Sequence, residues 1–97
     1  MAIVMNMQWE GVTREQYEEV RRLVNWEGDR PPGGLLHVAS FAADGLRVTD
    51  LWESAAEFNR FVEQRLMAGV QKAGITSQPK VEITPVHALY APAFKRI

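Results

Sequence analysis

The sequence contains no cysteine, has almost no net charge and lacks any long hydrophobic run. Without cysteine the chain can form no disulfide framework, no thiolate metal site and no cysteine nucleophile. Its 11 basic and 12 acidic residues leave a formal charge of -1, which does not provide the basic surface that nucleic-acid backbones require. No window approaches the roughly 18 apolar residues of a membrane span, and the N-terminal residues lack a secretory signal pattern. We therefore expect a cytoplasmic protein that binds neither nucleic acid nor membrane.

The composition is that of a folding chain, because 46% of its 97 residues are hydrophobic and 24% are charged. This length suits one compact domain, and we expect a single domain over residues 1–97. A domain of this size hides only about 60 to 65% of the surface that its unfolded chain exposes. A second copy of the chain could cover part of the remaining apolar surface, which favours a homodimer.

Hydrophobic periodicity and turn signals predict four strands and two helices. Thr13 with Gln16, and Ser54 with Glu57, have the spacing of capping boxes at the starts of the two helices. Gly74 can end the second helix, and Asp44-Gly45 indicates a hairpin between the second and third strands. The predicted strands cover 2–8, 35–42, 46–52 and 80–89.

The resulting order, βαββαβ, is that of an α+β ferredoxin-like fold, in which both helices cover one face of an antiparallel sheet. The other face must then meet water, a ligand or another sheet. Alternation along the strands places Asn6 on one face of the first strand and places Asp50 and Trp52 on one face of the third. We expect these mixed polar and apolar side chains to line a half-apolar cleft.

Two segments carry a resemblance to a known family. The junction at residues 48–58, VTDLWESAAEF, and the terminal residues 85–90, PVHALY, resemble the dimeric α/β-barrel superfamily and are most similar to its antibiotic-biosynthesis-monooxygenase-like members. The resemblance implies that two ferredoxin-like subunits join their sheets into a barrel. It also implies a small hydrophobic or aromatic ligand and either a cofactor-independent monooxygenase or a noncatalytic binding or interaction module.

The haem-degrading branch of the superfamily is less similar. Its members use an asparagine on the first strand, a tryptophan on the second helix and a histidine ten residues later. Asn6 matches the asparagine, but Phe61 and Gln71 stand at the other two positions. Glutamine is not the usual axial ligand of haem iron, so we expect no haem. The resemblance to cofactor-independent monooxygenases implies that no other cofactor is bound.

A metal site built from His37, Asp50 and His87 is disfavoured by the expected strand order. The second and fourth strands lie at opposite edges of a ferredoxin-like sheet, about 4.8 Å per step and roughly 14 Å apart in total. One subunit cannot bring both imidazoles onto one ion, so we expect no metal. Structural or interface hydrogen bonding is the alternative for both histidines.

A polar patch of Asn6, Asp50, Trp52 and His87 in an apolar pocket could instead deprotonate a phenol or enol. On this interpretation Asp50 and His87 are catalytic, and the substrate-binding residues are Asn6, Trp52, His37 and Phe61. The alternative is that Trp52 belongs to the core and that Asp50 and Asn6 bond backbone or dimer groups.

Overall fold

A computed structural model describes residues 1–94 of the chain. The second helix is continuous over residues 55–72 and consists of two α-helical segments joined by a π-helical turn, Val62–Leu66. The elements are β1 (Ile3–Glu10), α1 (Arg14–Val24), β2 (Gly34–Ala42), β3 (Gly45–Trp52), α2 (Ala55–Phe61), α3 (Met67–Lys72) and β4 (Lys80–Pro85).

The four strands form one antiparallel sheet in the order β2-β3-β1-β4. Helix α1 and the second helix pack on the same face, where their apolar side chains join those of β1 and β3 in the core. This arrangement confirms the ferredoxin-like fold and the predicted strand order. Among residues 1–94, no helix combines the length and apolar character needed to cross a bilayer.

The register between β1 and β3 decides which side chains share a face. Ile3 lies opposite Trp52 and Met5 lies opposite Asp50, so all four side chains point toward the helices, where they are buried. The alternate residues of β1 and β3, with their partners on β2, belong to the helix-free face of the sheet. That face carries Val4, Asn6, Gln8, Leu36, Val38, Ser40, Arg47, Thr49 and Leu51.

The helix starts follow the predicted caps, with one difference. Thr13 and Gln16 form the complete capping box. The Ser54 hydroxyl accepts a hydrogen bond from the Glu57 backbone N–H at 3.2 Å. The same hydroxyl donates to the Glu57 carboxylate, which in a complete capping box would accept from the Ser54 backbone N–H instead. The second box is therefore a side-chain cap without its reciprocal bond, which still satisfies one free N–H of the helix.

The π-helical turn was not predicted, because apolar periodicity alone does not reveal one extra residue in a helix. Arg65 lies within this turn, donates to the Val24 carbonyl oxygen at 2.8 Å and places its guanidinium over the Phe61 ring at 5.7 Å from the centroid. The turn thus connects the second helix to the end of α1.

Strand β4 ends at Pro85, whereas the sequence predicted strand as far as residue 89. Proline cannot donate to a ladder, and one further bond, from the Val86 N–H to the Ala2 carbonyl at 3.0 Å, closes the pairing. The prediction was wrong for residues 86–89. His87 therefore lies beyond the sheet and is exposed.

Gly45 opens β3 with a φ of 145°, and a β-carbon there would collide with the Trp9 carbonyl oxygen. Gly11 has a φ of 77° but open space around it. We expect Gly11→Ala to lower the free energy of unfolding by about 1 to 2 kcal/mol, the cost of a left-handed residue, and Gly45→Ala to lower it by more. Equal values from urea unfolding of the two variants would show that the backbone contact at Gly45 relaxes freely.

Candidate functional site

A cavity of about 620 Å³ lies between the sheet and the helices. Most of its wall is apolar, and its polar side chains are concentrated where β2 and β3 face the end of α1. The wall includes Met5, Met7, Val48, Trp52, Phe58, Phe61, Val70, Tyr17, Trp26, His37 and Asp50. This volume falls in the range of ordinary small-molecule sites, which is about 300 to 1,000 Å³.

Four of the lining side chains form a hydrogen-bonded chain, which we call the relay. Tyr17 Oη lies 2.7 Å from His37 Nε2, and His37 Nδ1 lies 2.7 Å from Asp50 Oδ1. The Trp52 indole Nε1 donates to the other carboxylate oxygen, Asp50 Oδ2, at 3.1 Å. Burial increases from His37, whose side chain is 30% exposed, to Asp50, whose side chain is 8% exposed. The relay thus leads from the cavity mouth into the core.

The chemistry of the end groups sets the direction of these bonds. An ionised carboxylate only accepts hydrogen bonds and an indole N–H only donates them. His37 must therefore carry its proton on Nδ1 to bond Asp50, which leaves Nε2 of a neutral imidazole as an acceptor. Tyr17 is consequently the donor to His37. In this arrangement every buried N–H and oxygen of the relay has a partner.

Tyr17 is held in its neutral form. Burial raises the pKa of Tyr17 to about 12, and the nearby Arg21 guanidinium only partly opposes that effect. The phenol therefore keeps its proton at neutral pH, as its role as donor requires. Its ring is parallel to the imidazole of His37, with centroids 6.1 Å apart, and the Trp26 ring lies 5.0 Å from the same imidazole.

The loop at the cavity mouth is fastened by two arginines. Arg21 bonds both carboxylate oxygens of Glu27, at 2.6 and 2.9 Å. Arg30 donates from Nε to the Gly34 carbonyl oxygen at 2.8 Å. Bidentate arginine pairing restricts geometry more than a single contact does, so the segment 27–34 keeps a defined position beside the relay.

The structure brings together four of the six residues predicted for the site. His37, Asp50, Trp52 and Phe61 all line the cavity, and the Trp52 and Phe61 rings lie 5.2 Å apart. Their roles in binding or catalysis stay predictions.

Asn6 and His87 lie elsewhere, so the expected patch with Asp50 and Trp52 does not form within the chain. Asn6 points to the helix-free face, where its side-chain oxygen accepts the Thr49 hydroxyl at 2.9 Å. His87 follows the end of β4 at the opposite edge of the sheet from β2. Alternation alone does not give the β1–β3 register, which sets Met5 rather than Asn6 beside Asp50.

The bond between His37 and Asp50 was missed, although the sequence contains a signal for it. A two-residue loop, Ala43-Asp44, pairs Ala42 with Gly45, and counting back along this hairpin sets His37 opposite Asp50. Tyr17 and Trp26 were also missed, since their approach to His37 depends on how α1 packs on the sheet.

Of the three residues considered for a metal site, His37 and Asp50 are hydrogen-bonded to each other, whereas His87 lies beyond the end of β4, at the opposite edge of the sheet from β2. In the part of the chain that is described, no group of three or more histidine, aspartate or glutamate side chains is placed to hold a metal ion. Gln71 lies exposed on α3, whereas Phe61 is buried in the cavity wall.

Comparison with known proteins identifies the fold. No family model and no curated protein sequence matches this chain. A protein of unknown function from Nitrosomonas europaea, NE2512, matches over 96% of both chains with 15% identity and a TM-score of 0.67. SnoaB, a cofactor-independent oxygenase from Streptomyces nogalater, matches over 91% of this chain and 94% of its own with 15% identity and a TM-score of 0.64.

A third solved structure is the monooxygenase ActVA-Orf6 of Streptomyces coelicolor in complex with nanaomycin D. It matches over 95% of this chain and 92% of its own, with 17% identity and a TM-score of 0.60. Proteins that carry the name antibiotic biosynthesis monooxygenase match with TM-scores of 0.66 and 0.68. The chain therefore has the fold of antibiotic biosynthesis monooxygenases, as its resemblance implied.

The direction of the relay can be reversed by one substitution. In Asp50→Asn the amide oxygen should stay with the Trp52 N–H, which has no other bonding option, and the amide NH₂ should face His37 Nδ1. His37 must then accept at Nδ1, and its proton moves to Nε2. We expect two-dimensional ¹H–¹⁵N spectra, recorded where the imidazole is neutral, to show the Nδ1–H tautomer in the wild type and the Nε2–H tautomer in the variant.

The other histidine provides an internal control, because exposed His87 should give the same signals in both proteins. An unchanged His37 tautomer in Asp50→Asn would contradict the assigned hydrogen-bond direction.

Proposed function

We propose that the protein binds a small hydrophobic or aromatic molecule in the cavity between its sheet and helices and acts on it as a cofactor-independent monooxygenase. The observation that carries this proposal is a largely apolar cavity whose wall contains one connected acid-base relay, Tyr17–His37–Asp50. The fold is shared with SnoaB, which is described as a cofactor-independent oxygenase. At 15% identity that likeness supports the activity by analogy only.

The distribution of polarity favours one orientation of the ligand. The apolar wall around Met5, Phe58 and Phe61 can take a ring system, since apolar surface removed from water contributes about 25 cal/mol per Å². A hydroxyl or keto group on that ligand can then meet the relay near His37, at the mouth. An aromatic alcohol or enol satisfies both requirements.

The proposed reaction begins with loss of the ligand's acidic proton to the relay. The resulting anion is electron-rich and can pass one electron to dioxygen, which gives a ligand radical and superoxide. Their recombination forms a carbon–oxygen bond, and loss of water then leaves a carbonyl. The overall change converts a CH₂ group and O₂ into a C=O group and H₂O, so that dioxygen is the oxidant. The protein supplies proton acceptance, orientation and exclusion of water.

The oligomeric state belongs to the same proposal. The helix-free face combines exposed Val38 and partly buried Leu36 and Val4 with polar groups such as Asn6 and Thr49. We propose that a second copy covers this face and forms the dimeric barrel. The cavity with the relay lies on the other side of the sheet, so dimerisation leaves its mouth beside the loop at residues 27–34 unblocked.

A noncatalytic binding module is the second candidate, and one observation favours it. Both oxygens of Asp50 already accept hydrogen bonds, which is also how a purely structural buried carboxylate is satisfied. A structural relay would leave ligand binding intact and produce no oxygen uptake.

The two candidates predict the same binding but different chemistry after it. Hydroxylated naphthalenes and anthracenones should quench tryptophan fluorescence, because Trp26 and Trp52 line the cavity. For the oxygenase, an oxygen electrode should record uptake with a bound anthracenone, and mass spectrometry should identify the quinone. His37→Asn should reduce the rate about 10² to 10⁴-fold, as loss of a general base does. Quenching without oxygen uptake would select the binding module. The absence of both quenching and oxygen uptake would refute the proposal.

The dimer can be tested with two variants of similar exposure. Val38 on the helix-free face is 47% exposed and Met67 on α3 is 44% exposed. We expect sedimentation at micromolar concentration to give about twice the 11.0 kDa chain mass for the wild type and for Met67→Glu. Val38→Glu should be monomeric, because an interface does not tolerate an unpaired buried charge. A monomeric wild type, or dissociation by Met67→Glu alone, would exclude this interface.

A further inference from the structure

The two basic groups of the relay, Asp50 and His37, already accept hydrogen bonds within the protein. Asp50 gives one oxygen to His37 Nδ1 and the other to the Trp52 indole. His37 Nε2 already accepts the Tyr17 hydroxyl. A ligand could bond His37 Nε2 only by displacing the Tyr17 hydroxyl, at the cost of an existing hydrogen bond. Asp50 keeps spare acceptor sites, but its side chain is only 8% exposed, so little of it can meet a ligand.

Tyr17 differs from His37 because its hydroxyl donates to His37 and still has acceptor lone pairs, and it differs from Asp50 because it is less buried. Its side chain also lines the cavity. We infer that Tyr17, rather than Asp50 or His87, is the catalytic residue that takes the proton from the bound ligand. This inference rests on the proposed function, since it names the group that meets the ligand at the same site.

The step moves two protons and no electrons. The ligand O–H bond breaks, its electron pair stays on the ligand oxygen, and its proton forms a new O–H bond on Tyr17. At the same time the original Tyr17 O–H bond breaks, and that proton forms an N–H bond at His37 Nε2. The products are a ligand anion that accepts a hydrogen bond from Tyr17 and an imidazolium at His37.

Two features of the site support this order of events. Because Tyr17 resists ionisation, its phenol does not carry the negative charge itself. It gives its own proton to His37 as it receives the proton of the ligand. The imidazolium is formed 2.7 Å from the Asp50 carboxylate, where opposite charge stabilises it. Asp50 is therefore a positioning residue, which keeps Nε2 of His37 free of hydrogen.

Arg21 also lies near the Tyr17 hydroxyl, together with the carboxylates of Glu18 and Glu27. Arg21 is ion-paired with both glutamates. These three neighbours together carry one net negative charge, so they do not oppose positive charge on His37. Of these groups, the Asp50 carboxylate is the one that is hydrogen-bonded directly to the imidazole.

The test uses a matched pair of probes. 4-Nitro-1-naphthol is an acidic naphthol whose neutral and anionic forms absorb at different wavelengths, and its methyl ether, 1-methoxy-4-nitronaphthalene, has no proton to lose. Affinity is measured by quenching of tryptophan fluorescence and ionisation by the absorbance of the bound naphthol. The proteins are the wild type, Tyr17→Phe, Asp50→Asn and, as the matched control, Tyr90→Phe, since Tyr90 is 89% exposed.

We expect the bound naphthol to be more ionised than the free naphthol at the same pH in the wild type and in Tyr90→Phe. Tyr17→Phe should lower the ratio of bound anion to bound neutral form at least about tenfold, the effect of losing one hydrogen bond to a charged group. Asp50→Asn retains the Tyr17 hydroxyl but puts a hydrogen on His37 Nε2, so it should lower the ratio by a similar factor. Affinity for the methyl ether should stay within about twofold in all four proteins, because the ether has no proton to transfer and these substitutions are expected to change only the proton transfer.

Failure of the Tyr17 inference and failure of the proposed function give different experimental results. If Tyr17→Phe ionises the naphthol as the wild type does, the inference is wrong while the binding site stands. A large loss of affinity for the methyl ether in Tyr17→Phe would also overturn it, because Tyr17 would then be a packing residue. If neither probe binds the wild type, the proposed function is refuted and the inference falls with it.

Discussion

The buried carboxylate of Asp50 is the constraint on which the site depends. It lies opposite Met5 in the middle of the sheet, is almost fully buried, and accepts one N–H from each of two aromatic side chains. A buried charge is tolerated only when hydrogen bonds replace its hydration. Satisfying Asp50 therefore fixes the orientation of Trp52 and the tautomer of His37, and His37 in turn fixes the direction of the Tyr17 hydroxyl. The acid-base character of the cavity results from this one requirement.

Local signals in the sequence were sufficient for the fold. The Thr13 capping box, the Asp44-Gly45 hairpin and the positive φ of Gly74, 78°, all occur where short-range chemistry places them, because caps and turns depend on a few neighbouring residues. The end of β4 and the π-helical turn depend on whether a ladder or a helix finds partners elsewhere in the chain. These were the features that the sequence did not predict.

The site was predictable in its parts and not in its combination. Asp50, Trp52, His37 and Phe61 were recognised as candidates because polar and aromatic side chains in apolar surroundings are informative on their own. Asn6 was grouped with them because alternation gives the two faces of each strand and does not say which faces coincide. One register, Met5 beside Asp50, settles that question and moves Asn6 to the other side of the sheet. The approach of Tyr17 to His37 spans two elements 20 residues apart, and no local pattern encodes it.

The π-helical turn at Val62–Leu66 lets the two halves of the second helix serve different neighbours. In an α-helix each residue advances the side-chain direction by about 100°, so the extra residue in the turn offsets the face of α3 from that of α2. Phe58 and Phe61 on α2 can thereby face the cavity, while Gly69 on α3 faces α1 so closely that a β-carbon there would lie 2.7 Å from a Val24 methyl group. The two segments of the second helix thus have separate roles: α2 lines the cavity and α3 packs against α1. Side chains of α2 can therefore be substituted to change the shape of the cavity without altering the packing of α3 against α1.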